Sequence, residues 1–190
     1  MRRRLIRLTL VVLLGLSIGG TLGVFYISRQ EALEFVHPER EVLSSTPADN
    51  GLDYEEVVLI TEDGLALRAW YLPGTNGAAI IVQHGYGGSR QRMLLEASML
   101  HKHGYGVLLF DWRGHGESEG GLVTFGYYEI RDAQAALAWL QNRPEVDSDR
   151  MGVLGDSMGA VALLYAAARM PEIKAVVAIS PFPSLMAEVE

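Results

Sequence analysis

The stretch RMGVLGDSMGAVALLY, residues 150–165, passes from a short apolar run through a Gly-Asp-Ser-Met-Gly turn into a second, longer apolar run. The pattern G-x-S-x-G between a strand and a helix marks a sharp reversal of the chain with serine at its apex. Such a reversal strains the serine backbone, and side chains two residues before or after it would meet neighbouring elements, so glycine at Gly155 and Gly159 has a steric reason. The turn lifts the Ser157 hydroxyl out of the sheet, while the helix behind it aims unpaired N–H groups and the positive end of its dipole at the same point. A nucleophile and half of an anion site are expected together. An ordinary β-to-α turn with incidental Gly and Ser has the same letters, so the neighbouring segments carry the decision.

Upstream, AAIIVQH (78–84) and GVLLFDW (106–112) are short apolar runs without alternation, as are MGVLG (151–155) and AVVAIS (175–180). Continuous runs of this length mark strands buried on both faces. Between them lie helical patterns. Ser89 is placed to cap a helix with Met93, Leu94, Ala97 and Leu100 on one face and Gly104 past its end. A second helix carries Ile130, Ala133, Leu137 and Leu140 and stops before Pro144. A third begins at Ser157, is apolar almost all round through Val161, Leu164, Tyr165 and Ala168, and is expected to be centrally buried. EEVVLI (55–60), the TEDG turn and LALRAWYLP (65–73) read as an antiparallel hairpin. The whole predicts an α/β fold: a mostly parallel sheet with helices on both faces, entered through an N-terminal antiparallel pair.

The N-terminus is a different object. Leu8 to Ile27 contains no charged residue, and 20 helical residues reach roughly 30 Å, the thickness of a bilayer's hydrocarbon core. Arg2, Arg3, Arg4 and Arg7 precede it, whereas Arg29 is followed by Glu31 and Glu34, which puts the N-terminus on the cytoplasmic side and the rest of the chain on the outer face. Residues 1–28 are therefore expected to form a single-pass membrane anchor through 8–27. A cleaved signal peptide, with the small triplet Ser17-Ile18-Gly19 as its site, would instead give a secreted protein. Gly15, Gly19 and Gly23 form a small-residue stripe, one route to a homodimer. Residues 29–54, polar and broken by Pro38, Pro47 and Gly51, read as a juxtamembrane linker, and 55–190 as the globular domain.

Composition excludes several classes of function. A net charge of −7 and a pI near 5.2 leave no basic footprint for nucleic acid. With no cysteine there is no disulfide, thiolate nucleophile or thiolate-bound metal, and neither a metal nor an organic cofactor is implied.

Two further segments bear on Ser157. QHGYGG (83–88) follows an apolar strand, and the glycines at Gly85 and after Tyr86 let backbone approach a bound carbonyl. The Tyr86 N–H is then placed as one oxyanion donor beside the Met158 N–H. His84 reads better as a buried imidazole supporting that loop than as a base. DWRGHGESEG (111–120) follows the next strand.

Taken in order, DGLALRAWYLP, HGYGG, FDWRGHGESEG, DAQAALAWL and GDSMG resemble the α/β-hydrolase family, especially its membrane-anchored, monoglyceride-lipase-like and serine-aminopeptidase-like members. The resemblance covers about residues 35–185. It implies Ser157 as nucleophile and the Tyr86 and Met158 amides as oxyanion hole, with His84, Gly85, Gly155 and Gly159 in support; RGHGES is then a structural signature, and His115 is not carried over as a base. The family's chain order is Ser, then Asp or Glu, then His. Here no histidine follows Ser157: His37, His84, His101, His103 and His115 all precede it. Asp156 is adjacent in sequence but points elsewhere at such a turn, and Glu188 and Glu190 take no role. Relative to the family the chain is expected to be C-terminally truncated, to lack the triad acid and base, and to be impaired. The segment 175–180 is then expected as an exposed apolar edge, a second route to association.

Three functions remain in view: hydrolysis of an ester, thioester or amide through an acyl-enzyme, transfer of the acyl group to another acceptor, and a membrane-tethered binding module that keeps the fold without catalysis. A small acyl or lipid-like substrate suits the first two.

Overall fold

The structure, a computed structural model, describes residues 2–183 and divides into two units, residues 1–37 and 38–190. The first is one helix, α1 (Arg2–Val36), none of whose residues is buried. An 18-residue window reaches a mean hydropathy of 2.2, and length and composition suffice to cross a membrane. Its two threonine hydroxyls bond within the helix: Thr9 donates to the Leu5 carbonyl at 3.0 Å and Thr21 to that of Ser17 at 2.9 Å. The helix continues eight residues beyond the expected boundary at 28, because Arg29 to Phe35 hold no Gly or Pro to stop it.

The second unit is built on a six-stranded sheet of order β1-β2-β4-β3-β5-β6. The strands are β1 (Glu55–Ile60), β2 (Ala66–Leu72), β3 (Ala79–Gln83), β4 (Gly106–Phe110), β5 (Met151–Asp156) and β6 (Ile173–Ile179). β1 and β2 form the predicted hairpin, closed where the Thr61 N–H donates to the Leu65 carbonyl at 3.0 Å, and β2 is also antiparallel to β4. β4, β3, β5 and β6 run parallel, with α2 (Leu94–Lys102) and α3 (Glu129–Gln141) as crossovers and α4 (Met158–Ala167) joining β5 to β6.

The pleat divides the apolar runs between two helix layers. Trp70, Leu72, Val82, Val107, Leu109 and Leu154 turn to Met93, Leu94 and Ala97 on one face. Ala69, Tyr71, Ile81, Leu108, Phe110 and Val153 turn to α3 and α4 on the other, against Ala133, Ala136, Leu140, Ala162, Leu163 and Ala166. Both faces are covered, so the strands read as unbroken apolar runs even though each side chain has a definite side.

Three expectations are corrected. Residues 38–54 do not form a free linker: Leu43, Leu52 and Tyr54 pack on the α2-side core, Tyr54 meets the Trp70 ring edge-on at 5.8 Å, and a 3-10 turn at Pro47–Asn50 is closed by the Thr46 N–H donating to Asp49 at 2.7 Å. Ser89 precedes a 3-10 turn, Arg90–Met93, and gives it no side-chain cap, because its hydroxyl donates to Glu41 at 2.7 Å. And α4 is buried on one side only: Leu164 and Tyr165, facing away from the sheet, are 41% and 45% exposed.

Among the described residues, β6 is the edge strand at the end of the sheet opposite β1. Val176, Val177 and Ile179 on it are exposed, as the sequence leads one to expect for 175–180. Glu188 and Glu190 lie outside the described residues.

Candidate active site

At the carboxyl end of β5 the chain turns into α4 at Ser157, whose φ of 49° and ψ of −117° lie where glycine is usually needed. The two flanking glycines explain why the turn closes. A Cβ on Gly155 would come within 2.6 Å of the Ala160 nitrogen, and one on Gly159 within 2.5 Å of the His84 carbonyl oxygen. Any side chain at either position would drive α4 off β5 or off β3.

The Ser157 N–H donates to the Ile179 carbonyl at 2.9 Å, which ties the turn to β6, and its own carbonyl accepts the first helical bond from Val161 at 3.1 Å. The Ser157 side chain makes no capping bond to α4. Its hydroxyl, half-exposed, is left at the N-terminus of a helix whose first amides point outward. The Met158 side chain is fully buried in the core, so only its backbone faces this site.

Opposite stands the turn after β3. A Cβ built on Gly85 would sit 3.2 Å from the Ser157 Cβ, which measures how closely this turn approaches the serine. Tyr86 follows, half-buried, its ring stacked on Phe125 at 5.3 Å between centroids. Phe125 is held in turn by Glu129, which is fully buried at the start of α3 and accepts from the Thr124 N–H at 2.8 Å, the Thr124 hydroxyl at 2.7 Å and the Gly126 N–H at 2.7 Å. An open cleft of about 350 Å³ adjoins this side, lined by Phe125, Ile130, Val161, Tyr165, Arg169 and Phe182 among others.

The two buried histidines serve the turns. His84 donates from Nδ1 to the Gly85 carbonyl at 2.8 Å and accepts at Nε2 from the Trp112 N–H at 3.3 Å. Burial and the nearby His115 pull it down to about 3, so it is neutral. His115 faces the Arg113 carbonyl through Nδ1 at 3.1 Å and accepts the Gly87 N–H at Nε2, also at 3.1 Å; burial holds it below the ordinary histidine value. Both ring nitrogens of both residues are therefore spent on backbone, and neither is left to take a proton from Ser157. His101 and His103 lie at the far end of α2, at the amino edge of the sheet. Among the described residues no His/Cys/Asp/Glu group is arranged to hold a metal.

Beneath both turns is Asp111, fully buried. It accepts from the Arg90 N–H at 2.6 Å, the Glu117 N–H at 2.9 Å and the Arg90 guanidinium. Burial raises its carboxyl while Arg90 draws it back. A Cβ on Gly116 would fall 2.2 Å from its Oδ2, so RGHGES wraps this carboxylate and is a scaffold, as the resemblance implies. Asp156 is half-exposed and its carboxylate lies toward Gly85, 3.5 Å from where a Cβ would be. The sequence reading missed Asp111, Arg90, Glu129 and Phe125. The buried acids could be found only through partners distant in sequence or through the amides of a loop.

The model of the family described as "Serine aminopeptidase, S33" matches residues 74–189, more than half of the chain. The chain belongs to this family of α/β-hydrolases. Among S33 relatives, an uncharacterized protein of Mycobacterium tuberculosis is 39% identical over 133 residues, 68% of this chain and 46% of its own length. A thiohydrolase of Aspergillus aculeatus is 32% identical over 132 residues, 67% of this chain and 42% of its own. A solved esterase of Pyrococcus furiosus superposes with a TM-score of 0.73 and 39% identity, over 77% of this chain and 58% of that one. The chain thus spans about half the length of the curated relatives it matches.

Proposed function

We propose that this S33 chain carries the nucleophile half of a serine hydrolase that cleaves an ester, thioester or amide through an acyl-enzyme on Ser157. The observation that carries the reading is the strained Ser157 backbone, locked between two glycines that admit no side chain and ending in an uncapped hydroxyl at a helix N-terminus. Strain of this kind persists only where the surroundings impose it, and it clusters at sites of chemistry. Similarity to an esterase and a thiohydrolase supports oxygen and sulfur esters as the substrate class.

In acylation, Oγ of Ser157 attacks the acyl carbon and the carbonyl π electrons move onto oxygen, where the Tyr86 and Met158 amides receive the charge. Collapse breaks the bond to the leaving alkoxide, thiolate or amine, which departs with the proton that serine gave up. Water then attacks the acyl-serine, releasing the acid and returning a proton to Oγ. His84 and His115, both committed to backbone, do not take that first proton. The same commitment favours a second reading, a fold kept for binding with catalysis lost. Incubation with an activated p-nitrophenyl ester separates the two. The hydrolase reading predicts nitrophenolate release matched by an acyl mass adduct and lost in Ser157→Ala. Binding alone predicts no adduct and no difference between the variants.

For α1 the reading is an uncleaved anchor with Arg2, Arg3, Arg4 and Arg7 on the cytoplasmic side and the hydrolase domain on the outer face. Its length and composition support this, and the mass of the membrane-extracted protein tests it, since signal cleavage would remove the first residues.

A further inference from the structure

An oxyanion hole works only if its donors are already in place when charge develops. The Met158 amide is fixed by helix α4, but the Tyr86 amide belongs to a turn containing Gly85, Gly87 and Gly88, which has little stiffness of its own. The Gly88 N–H and His84 Nδ1 both meet the Gly85 carbonyl, at 3.2 and 2.8 Å, and further anchors come from outside the turn. Its Gly87 N–H is anchored on His115, and His115 belongs to a second loop, 115–120, itself rich in glycine.

Both loops are gripped from one place, the first residues after α1. The Arg40 guanidinium donates to four carbonyls of loop 115–120: Gly116 at 3.1 Å, Gly120 at 2.7 Å, His115 at 3.4 Å and Ser118. A planar fork with five donors suits such a ring of acceptors, and a lysine ammonium does not. The next residue, Glu41, reaches the other loop. It accepts from the Ser89 hydroxyl at 2.7 Å and from Arg92 Nε at 3.0 Å. Arg92 in turn lies against the turn, its Cδ 3.1 Å from where a Gly88 Cβ would stand. Two neighbouring side chains of opposite charge thus hold two loops that meet each other through the Gly87 N–H on His115 and the Arg90 guanidinium on Glu117, at 3.1 and 2.6 Å.

We propose that Arg40 and Glu41 are positioning residues: they staple loop 115–120 to loop 85–92 and thereby hold the Tyr86 amide beside Ser157. The inference rests on the reading of Tyr86 as an oxyanion donor. It assigns to residues 38–54 a part in the hydrolase site beyond connecting that site to α1.

The test uses the full chain in detergent micelles with a fluorophosphonate, which phosphonylates a serine oxygen with loss of fluoride. In Arg40→Met the maximal labelling rate at Ser157 is expected to fall about tenfold, less than for outright loss of an oxyanion donor, with the half-saturating probe concentration nearly unchanged. Arg40→Lys restores only part of the rate. Hydrogen exchange at the amides of 86–88 is expected to speed up about tenfold in Arg40→Met while β3 and β5 amides stay as in the wild type. Wild-type exchange at 86–88 together with a wild-type maximal rate overturns the proposal. If Arg40→Met does not fold, Glu41→Gln carries the same test, with faster exchange at 86–90 in favour and none against. A wild-type chain that takes no label overturns the reading of Ser157, and the exchange comparison still decides the staple on its own.

Discussion

On one side of β5, the turns after β3 and β4 hold a dense set of charged and polar bonds; on the other, β6 carries valines and isoleucine open to solvent on both faces. The two regions share a strand and little else. On the first side, Asp111, His84 and His115 bond to loop backbone and Arg90 bonds to the Asp111 and Glu117 carboxylates, so the polar groups confer position more than stability. On the second side, among the described residues, β6 pairs with β5 and carries exposed apolar side chains. The difference teaches that the presentation of Ser157 in this domain is determined by β3, β4, β5 and the strap at 38–54, with a single tie to β6 at the Ile179 carbonyl.

The comparison breaks first if the rigid side proves tolerant. Gly159→Val puts a branched side chain 2.5 Å from the His84 carbonyl and 2.9 Å from that of Gln83, both backbone atoms that cannot move without parting β3 from α4. A loss of at least about 3 kcal/mol in denaturant unfolding is expected. A near-neutral Gly159→Val would show that the two elements are not locked.

The buried histidines give the next largest effect. His84, held at about 3, stays neutral in the fold while the unfolded chain takes up that proton near 6.5. The unfolded state thus binds more protons across this window, and stability falls as pH drops through it, at up to about 1.4 kcal/mol per pH unit. His115, also lowered, adds in the same direction. Asp132, raised by burial from 3.8 to about 6, opposes them, because the fold holds a proton there that the unfolded chain has released. Melting followed from pH 7 to pH 4 should show a net loss, flattened in His84→Asn.

A smaller effect carries an opposite sign. Ser157→Gly removes a side chain from a left-handed backbone position and is expected to stabilise the domain by about 1 kcal/mol while removing the nucleophile. Stability gained as the nucleophile is lost is the mark of strain held for function. On the open side, Val177→Lys should change stability by no more than about 0.5 kcal/mol, since Val177 is 52% exposed, and should reduce self-association in light scattering.

How much of this the sequence discloses follows from the range of each signal. Apolar runs and their spacing are local, so β1 to β6, the hairpin and the Ser157 turn can all be read from one window at a time. Burial that depends on a distant partner cannot. Arg40 meets carbonyls 75 to 80 positions away, and in sequence it is one more charged residue in a polar stretch. Ser89 has the letter of a helix cap, yet its hydroxyl goes to Glu41, 48 residues back. Glu129 sits where helices welcome a surface acid, and the amides of 124 and 126 with the Thr124 hydroxyl account for its burial. Leu164 and Tyr165 continue an apolar pattern whose partner face the strand-and-helix rhythm does not specify.

The central claim is that the chain reverses at Ser157 so that its hydroxyl stands half-exposed at the start of α4 with amides from two elements beside it. Peptide mapping after fluorophosphonate treatment of the folded chain tests it most directly. The account predicts a single phosphonylated peptide, modified at Ser157, that disappears when the protein is denatured before treatment. Label spread over surface serines, or a folded protein that takes none at 157, would contradict it.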